Sequence, residues 1–268
     1  MSTSIPRHII QTARSRDLRP AERAAARLLQ LLHPEWTYSF FDDADVHRFI
    51  EEQFPQYRSV FEGFPYKIQR FDFFRYLAVY RLGGFYFDLD VFLSRPLDDL
   101  LDHASVFPFE EITLNRHLRK DLRIDWEIGN YAFGAAPGNE FLAQVIENCV
   151  RGQREPSWVS PMLDWAPRVF RGDLSVLVST GPGLLTRTLV ENPSTASGMR
   201  VLFPADVRDA QHWHLFGEHG VHLQAASWRP RRSLVFRKLA LLWESRVRGK
   251  AEAESRKLGP TRPLPKGR

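Results

Sequence analysis

A single cysteine, Cys149, stands among 268 residues. That excludes an intrachain disulfide and leaves no second thiol for a metal site, so packing must stabilise the chain and Cys149 is expected in the core. No stretch approaches the ~20 apolar residues that span a bilayer. The opening Met1-Ser2-Thr3-Ser4-Ile5-Pro6-Arg7-His8 lacks a basic-then-apolar leader pattern, so the expected location is cytoplasmic. Internal repeats are absent too. What remains, 43% hydrophobic and 13% aromatic residues, suits the core of one α/β domain of ordinary size.

The net charge of +5 would fit a polyanion binder if it were spread along the chain, but it is not. From Arg229 onward there are 13 Lys/Arg and 3 Asp/Glu, which leaves 24 basic and 29 acidic residues in 1–228. The basicity belongs to the tail. Within it Leu234, Val235, Leu239, Leu241, Leu242 and Trp243 alternate with Arg237, Lys238, Arg246 and Arg248. That pattern fits a basic amphipathic helix at the inner face of an anionic membrane, and equally a terminal helix packed on the domain before a disordered end at Gly259-Pro260. Aromatics for base stacking are absent beyond Trp243, which disfavours nucleic acid. The expected division is a domain over 1–232 and a basic amphipathic helix with disordered tail over 233–268.

Periodicity predicts a first strand over Ile5–Gln11, a helix from near Pro20 to Leu32 and a second strand over Trp36–Phe40. The run Asp42-Asp43-Ala44-Asp45 then supplies an N-cap for a helix through Phe49 and Ile50. A strongly apolar helix over Lys67–Leu82 ends at Gly83-Gly84, where positive φ is admitted. In it Asp72 and Arg75 interrupt a stripe of Ile68, Val79 and Leu82, as an ion pair or as the edge of a polar cavity. Further strands are expected over Ile128–Gly134, carrying Asn130, over Ser175–Thr180, and over Val221–Gln224, with His222 and Gln224 on one face. The loop Gly181-Pro182-Gly183 is either an anion cradle or a plain strand-to-helix turn.

The richest segment is Phe85-Tyr86-Phe87-Asp88-Leu89-Asp90-Val91-Phe92. As one strand it would place Tyr86, Asp88 and Asp90 on one face and Phe85, Phe87, Leu89 and Val91 on the other. The two aspartates would then sit roughly 7 Å apart, able to lean toward one divalent cation. Alternatively the strand simply ends there and both acids face water. His222 is a third ligand candidate against the default of a packed histidine.

Phe71-Asp72-Phe73-Phe74-Arg75-Tyr76-Leu77 followed by Tyr80-Arg81-Leu82-Gly83-Gly84-Phe85-Tyr86-Phe87-Asp88-Leu89-Asp90 resembles the signature of the family 32 glycosyltransferases with a DXD sugar-binding motif. That group includes Och1-like mannosyltransferases and bacterial capsule and lipopolysaccharide enzymes. The resemblance extends to Gln11-Thr12, Asn130 with Gly134, Thr180-Gly181-Pro182-Gly183 and Ser227-Trp228. Ile10, Ala13 and the lone His222 depart from the group's usual residues. It implies a GT-A fold, a Rossmann-like mixed sheet flanked by helices, and transfer of a hexose from a UDP- or GDP-sugar with Mn²⁺ or Mg²⁺ and retention of configuration. A saccharide, a lipid-linked group or a protein would be the acceptor, in surface polysaccharide or glycolipid synthesis.

The implied roles are Asp90 on the metal, Asp88 on ribose and metal, and Asp72 with Arg75 on sugar hydroxyls. Tyr86 joins the donor contacts, His222 or Gln224 completes the cation shell, Asn130 meets the donor sugar or the acceptor edge, and Ser227 and Trp228 meet the diphosphate. The acceptor site is expected in variable loops such as Phe107 to Trp126 and Gly152 to Gly172. Two rivals stand beside this reading. An Asp-x-Asp phosphohydrolase would carry a Thr or Gly soon after the motif, and Val91-Phe92 supplies neither. A non-catalytic sugar-nucleotide-binding or membrane-docking module would keep the fold without turnover.

Overall fold

The structure, a computed structural model, describes residues 4–224 and 234–265, with the backbone alone at 234–237. The chain opens with β1 (His8–Thr12), α1 (Pro20–Leu32), β2 (Thr37–Phe41) and α2 (Asp43–Gln53), followed by the short α3 (Arg58–Gly63). Pro20 stands at the first turn of α1, where its missing N–H costs nothing. Asp42 accepts from Asp45 N at 3.0 Å, while Asp45 reaches back to the Asp42 N–H. That reciprocal box fixes the start of α2. The first strand begins three residues later than periodicity predicts, because His8 rather than Ile5 opens the pairing with Thr37 of β2.

Helix α4 (Lys67–Leu82) has the predicted bounds. It is buried nearly all round, with Phe73, Phe74, Tyr76, Leu77, Ala78 and Val79 fully enclosed. Gly83 ends it at φ 67°, its N–H donating to Val79 O at 2.8 Å. Gly84 follows at φ 102°, and a Cβ there would lie 2.3 Å from the His8 carbonyl oxygen. Only glycine lets β3 (Gly84–Phe87) settle against β1 at this point.

Strand β3 stops at Phe87, so of the two readings the one in which the strand ends at the motif holds, although Asp88 is bonded to Arg75 rather than left to water. Asp88, Leu89 and Asp90 form a turn, closed by Val91 N to Asp88 O at 3.2 Å, before β4 (Val91–Leu93). The alternation therefore ends at the motif. Both faces of β3 are core: Tyr86 joins one apolar cluster, and Phe85 and Phe87 the other.

Next come β5 (Ser105–Ile112), β6 (Trp126–Ile128) and β7 (Ala132–Ala135). Asn130 thus lies in a connection and not in a strand over Ile128–Gly134, because β6 and β7 pair with different parts of β5. The helices α5 (Glu140–Arg154), α6 (Pro156–Val159), α7 (Arg171–Ser179) and α8 (Pro182–Glu191) follow, then β8 (Met199–Leu202), β9 (Leu215–Phe216), β10 (Gly220–His222) and α9 (Leu234–Ser255). Segment Ser175–Thr180 is helical where a strand was expected. The helix that carries Val176 and Val178 packs against α4, α5 and α8. There a helix satisfies its own backbone, and packing overrides β-propensity.

The main sheet runs β2-β1-β3-β7-β5-β6, with β8 also on β5. Its pairs β1–β2, β1–β3 and β5–β8 are parallel, while β3–β7, β5–β7 and β5–β6 are antiparallel. This is the mixed α/β sheet flanked by helices that the resemblance implies. A smaller sheet, β4-β10-β9, sits beside the Asp88–Asp90 turn.

Cys149 is buried and unpaired, as expected. After α9 the chain returns to the domain: Val207 N donates to Pro260 O at 3.0 Å, and Arg262 Nε lies 3.2 Å from Asp125 Oδ1. Among the described residues no helix is long and apolar enough to cross a membrane.

Candidate donor and metal site

In open α/β sheets ligands gather outside the carboxyl ends of the strands, and β1 and β3 both end here. From β1, Gln11 Nε2 donates to Phe87 O at 3.4 Å, and Thr12 Oγ1 is 3.2 Å from Tyr86 Oη. The Tyr86 hydroxyl donates to Asp88 Oδ1 at 2.8 Å. The start of the motif is thus held from the sheet.

From α4, Arg75 enters beneath the turn, only 3% exposed. Its Nη1 donates to Asp88 Oδ2 at 3.2 Å and to Asn130 O at 2.7 Å. Its Nη2 lies 3.1 Å from Asp88 Oδ1 and 3.2 Å from Asp72 Oδ1, and its carbon sits 4.6 Å above the Tyr86 ring centre. Burial opposes the guanidinium charge, yet Asp88, Tyr86 and Asp72 outweigh it and hold Arg75 above the ordinary arginine range. So dry a cation needs its two carboxylates.

Asp72, one turn earlier on α4, accepts from Thr180 Oγ1 at 2.8 Å and from Asn130 Nδ2 at 3.2 Å. Burial pushes its carboxyl up to about 6 against the pull of Arg75. Asn130 Nδ2 also donates to Tyr76 Oη at 3.0 Å. Asp72 and Arg75 are therefore both an ion pair and the wall of the polar site.

His222 arrives by the small sheet. In its register Val91 faces His222, and Leu223 N donates to Asp90 O at 2.9 Å. His222 Nε2 lies 3.3 Å from Asp90 Oδ1, and the imidazole stacks on Tyr131 at 4.2 Å between centres. One ligand atom each from Asp88, Asp90 and His222 falls within 4.8 Å of the others. Burial raises the Asp88 carboxyl, Arg75 and His222 oppose that rise, and Asp90 adds to it. Two carboxylate oxygens and an imidazole suit Mn²⁺ or Mg²⁺, and the buried His222 Nδ1 has no hydrogen-bond partner among the described residues. The donor set fits the cation that the resemblance implies.

Gln224 is not part of this face. It stands beyond β10, exposed, at φ 52°. Ser227 and Trp228 lie outside the described residues. Gly181-Pro182-Gly183 joins two helices, and from this segment it is Thr180 that reaches the site.

Residues 21–107 match the family model described as a glycosyltransferase sugar-binding region containing a DXD motif. Over this region the chain is similar to the DXD-containing glycosyltransferases. Inositol phosphoceramide mannosyltransferase 3 of Schizosaccharomyces pombe is 31% identical over 150 residues, which are 56% of this chain and 38% of that protein. Mannosyl phosphorylinositol ceramide synthase CSH1 of Saccharomyces cerevisiae is 27% identical over 210 residues, 76% of this chain and 49% of that protein. The chain spans about half the length, or less, of these two relatives. The solved PaToxG glycosyltransferase covers 72% of this chain and 74% of its own at 12% identity, with a TM-score of 0.47.

The matched region holds Asp72, Arg75, Tyr86, Asp88 and Asp90, whereas Asn130 and His222 are supplied from beyond it. Sequence reasoning gave no role to Thr12, Tyr76, Tyr131 or Thr180. Thr180 carried a signal, since it stands in the quoted Thr-Gly-Pro-Gly segment. Tyr131 carried none, because only the stacking reveals it.

Proposed function

We propose that this chain is a metal-dependent glycosyltransferase that moves a hexose from a nucleotide-sugar to a hydroxyl acceptor with retention of configuration. The convergence of Asp88, Asp90 and His222 at the carboxyl end of β3 carries the reading. The names of the relatives favour a mannosyl donor and an inositol- or saccharide-bearing glycolipid acceptor.

Asp90 and His222 would hold the cation directly, and Asp88 would divide its oxygens between cation and ribose. A bound divalent ion supplies positive charge where the leaving diphosphate becomes more negative. Arg75 is a positioning residue, because Asp72, Asp88 and Asn130 already occupy its guanidinium. Asp72 and Asn130 face the donor sugar, and Ser227 with Trp228 takes the diphosphate. No side chain in the cluster is placed as a covalent nucleophile in this reading. The acceptor oxygen forms its bond to the anomeric carbon on the face from which the phosphate oxygen departs, and the acceptor proton passes to that phosphate.

The test is release of nucleoside diphosphate from GDP-mannose and UDP-hexoses with Mn²⁺. Asp90→Ala should abolish release while circular dichroism stays that of the parent. Donor binding without release under any metal and acceptor would favour the non-catalytic module. An inverted anomeric product by NMR would overturn the retaining course.

A contact with anionic lipid at α9 has its own support. Leu239, Leu241 and Leu242 are 54%, 62% and 63% exposed, while Trp243 is anchored on Phe170 at 4.8 Å and on Trp165 at 5.6 Å. Lys238 and Arg246 flank these leucines. Replacing the three leucines with serine should reduce co-sedimentation with phosphatidylserine vesicles. Unchanged sedimentation would exclude the face.

A further inference from the structure

Beside the metal cluster three carboxylates gather, and the strand register explains how. Phe109 of β5 faces Ile128 of β6 and Ile112 faces Trp126, so Glu110 and Glu111 together stand against the single Glu127. Such a bulge bends the strand and re-aims its side chains. Glu111 and Glu127 each feel the other acids; against the three carboxylates stand His214, whose Nδ1 lies 3.2 Å from Glu110 Oε1, Arg248, whose charge bears on Glu111, and the Thr113 hydroxyl, which donates to Glu127. Acceptor capacity is in excess here.

A second observation points to a ligand. Tyr131 is 2% exposed, and its hydroxyl has no hydrogen-bond partner among the described residues. Glu110 Oε2 has none either. The two stand near one another: the Glu110 charge bears on the Tyr131 phenol, and a Cβ on Gly129 would lie 2.3 Å from Glu110 Oε2 and 2.7 Å from the Tyr131 ring edge at Cε1. Leaving such groups unmet is costly, and a hydroxylated ligand satisfies both by donating to the carboxylate and accepting from the phenol. A cation fits less well: among the described residues the one group of three converging acids and histidines is Asp88, Asp90 and His222. Tyr131 joins the two places, since its ring covers His222 and its carbonyl accepts from Asp88 N at 2.7 Å.

We propose that Glu110, Glu127 and the Tyr131 hydroxyl form the subsite for the acceptor, binding the hydroxyl groups of a cyclic polyol such as a sugar or inositol ring. The inference rests on the donor reading above. Its test is the rate of glycoside formation from GDP-mannose and Mn²⁺ with methyl α-mannopyranoside or myo-inositol as the probe acceptor. Glu110→Gln should raise the acceptor KM about tenfold, as loss of a charged hydrogen bond does, and Glu127→Gln, whose carboxyl the fold favours as the neutral acid, should raise it less, with the donor KM within about twofold of the parent in both. Tyr131→Phe, which keeps the ring on His222, should also raise the acceptor KM and serves should a glutamate variant fail to fold. An unchanged acceptor KM, or equal rises in both KM values, overturns the subsite. So does a parent that cleaves donor to water yet glycosylates neither polyol. A parent that neither binds nor cleaves any nucleotide-sugar overturns the donor reading, and the subsite with it.

Discussion

Arg75 grips both oxygens of Asp88, with Nη1 at 3.2 Å from Oδ2 and Nη2 at 3.1 Å from Oδ1. A two-pronged contact fixes the plane of a carboxylate, which a lysine's single ammonium cannot do. The first acid of the motif therefore has its orientation set from an apolar helix before any ligand arrives.

Arg75→Leu should lower the unfolding free energy by about 3–5 kcal/mol, because it strands Asp72 and Asp88 near a dry helix face. Urea unfolding measures it. Arg75→Lys should retain more of the stability and still weaken donor binding.

Asp90→Asn should leave the metal-free protein at least as stable as the parent, since it removes a charge that bears on Asp88. The gain from cation should vanish. At Mn²⁺ about a hundredfold above its Kd the parent gains about 2.7 kcal/mol, and thermal shift with and without Mn²⁺ shows whether the variant gains any.

Much of this was legible in the sequence, and for identifiable reasons. Helix α4 was readable because its boundaries are chemical: Pro65 stands just ahead of its first turn and Gly83-Gly84 follows its last. Asp72, Arg75, Asp88 and Asp90 were readable because charges inside apolar runs need a purpose. The turn at Asp88–Asp90 was not, since Leu89 and Val91 continue the apolar pattern of β3 while the hydrogen bonds pass to β4. The Val176–Val178 helix was hidden because only its neighbours, α4, α5 and α8, exclude a strand. The acidic bulge was invisible too, as a register shift between β5 and β6 leaves no mark in either strand alone.

Burial pushes Glu127 from an ordinary value of 4.5 up to about 8, with Glu111 and Glu110 adding to the rise and the Thr113 hydroxyl opposing it. A raised folded-state value means that the fold favours the neutral acid. Its contribution is complete below 4.5 and is lost as pH rises through about 8. Glu127→Gln should therefore gain stability relative to the parent on going from pH 5 to pH 8, as urea midpoints at the two values would show. Parallel pH profiles would contradict the shift.

Gly84→Ala should cost more than about 1 kcal/mol, because φ 102° and the His8 carbonyl both exclude a methyl group. Since β3 leads straight into Asp88, the loss should extend to metal affinity, read by titration with Mn²⁺.

The small sheet that sets His222 beside Asp90 also orders events in time. Ser94 and Glu218, hydrogen-bonded across it, stand 124 positions apart along the chain. During synthesis the aspartate turn leaves the ribosome long before its histidine, and closing so long a loop is slow. A nascent chain consequently carries two acids and no third ligand until the strand with His222 docks. On the proposed metal reading, full cation affinity would be withheld from the unfinished protein and arrive only as the domain completes itself.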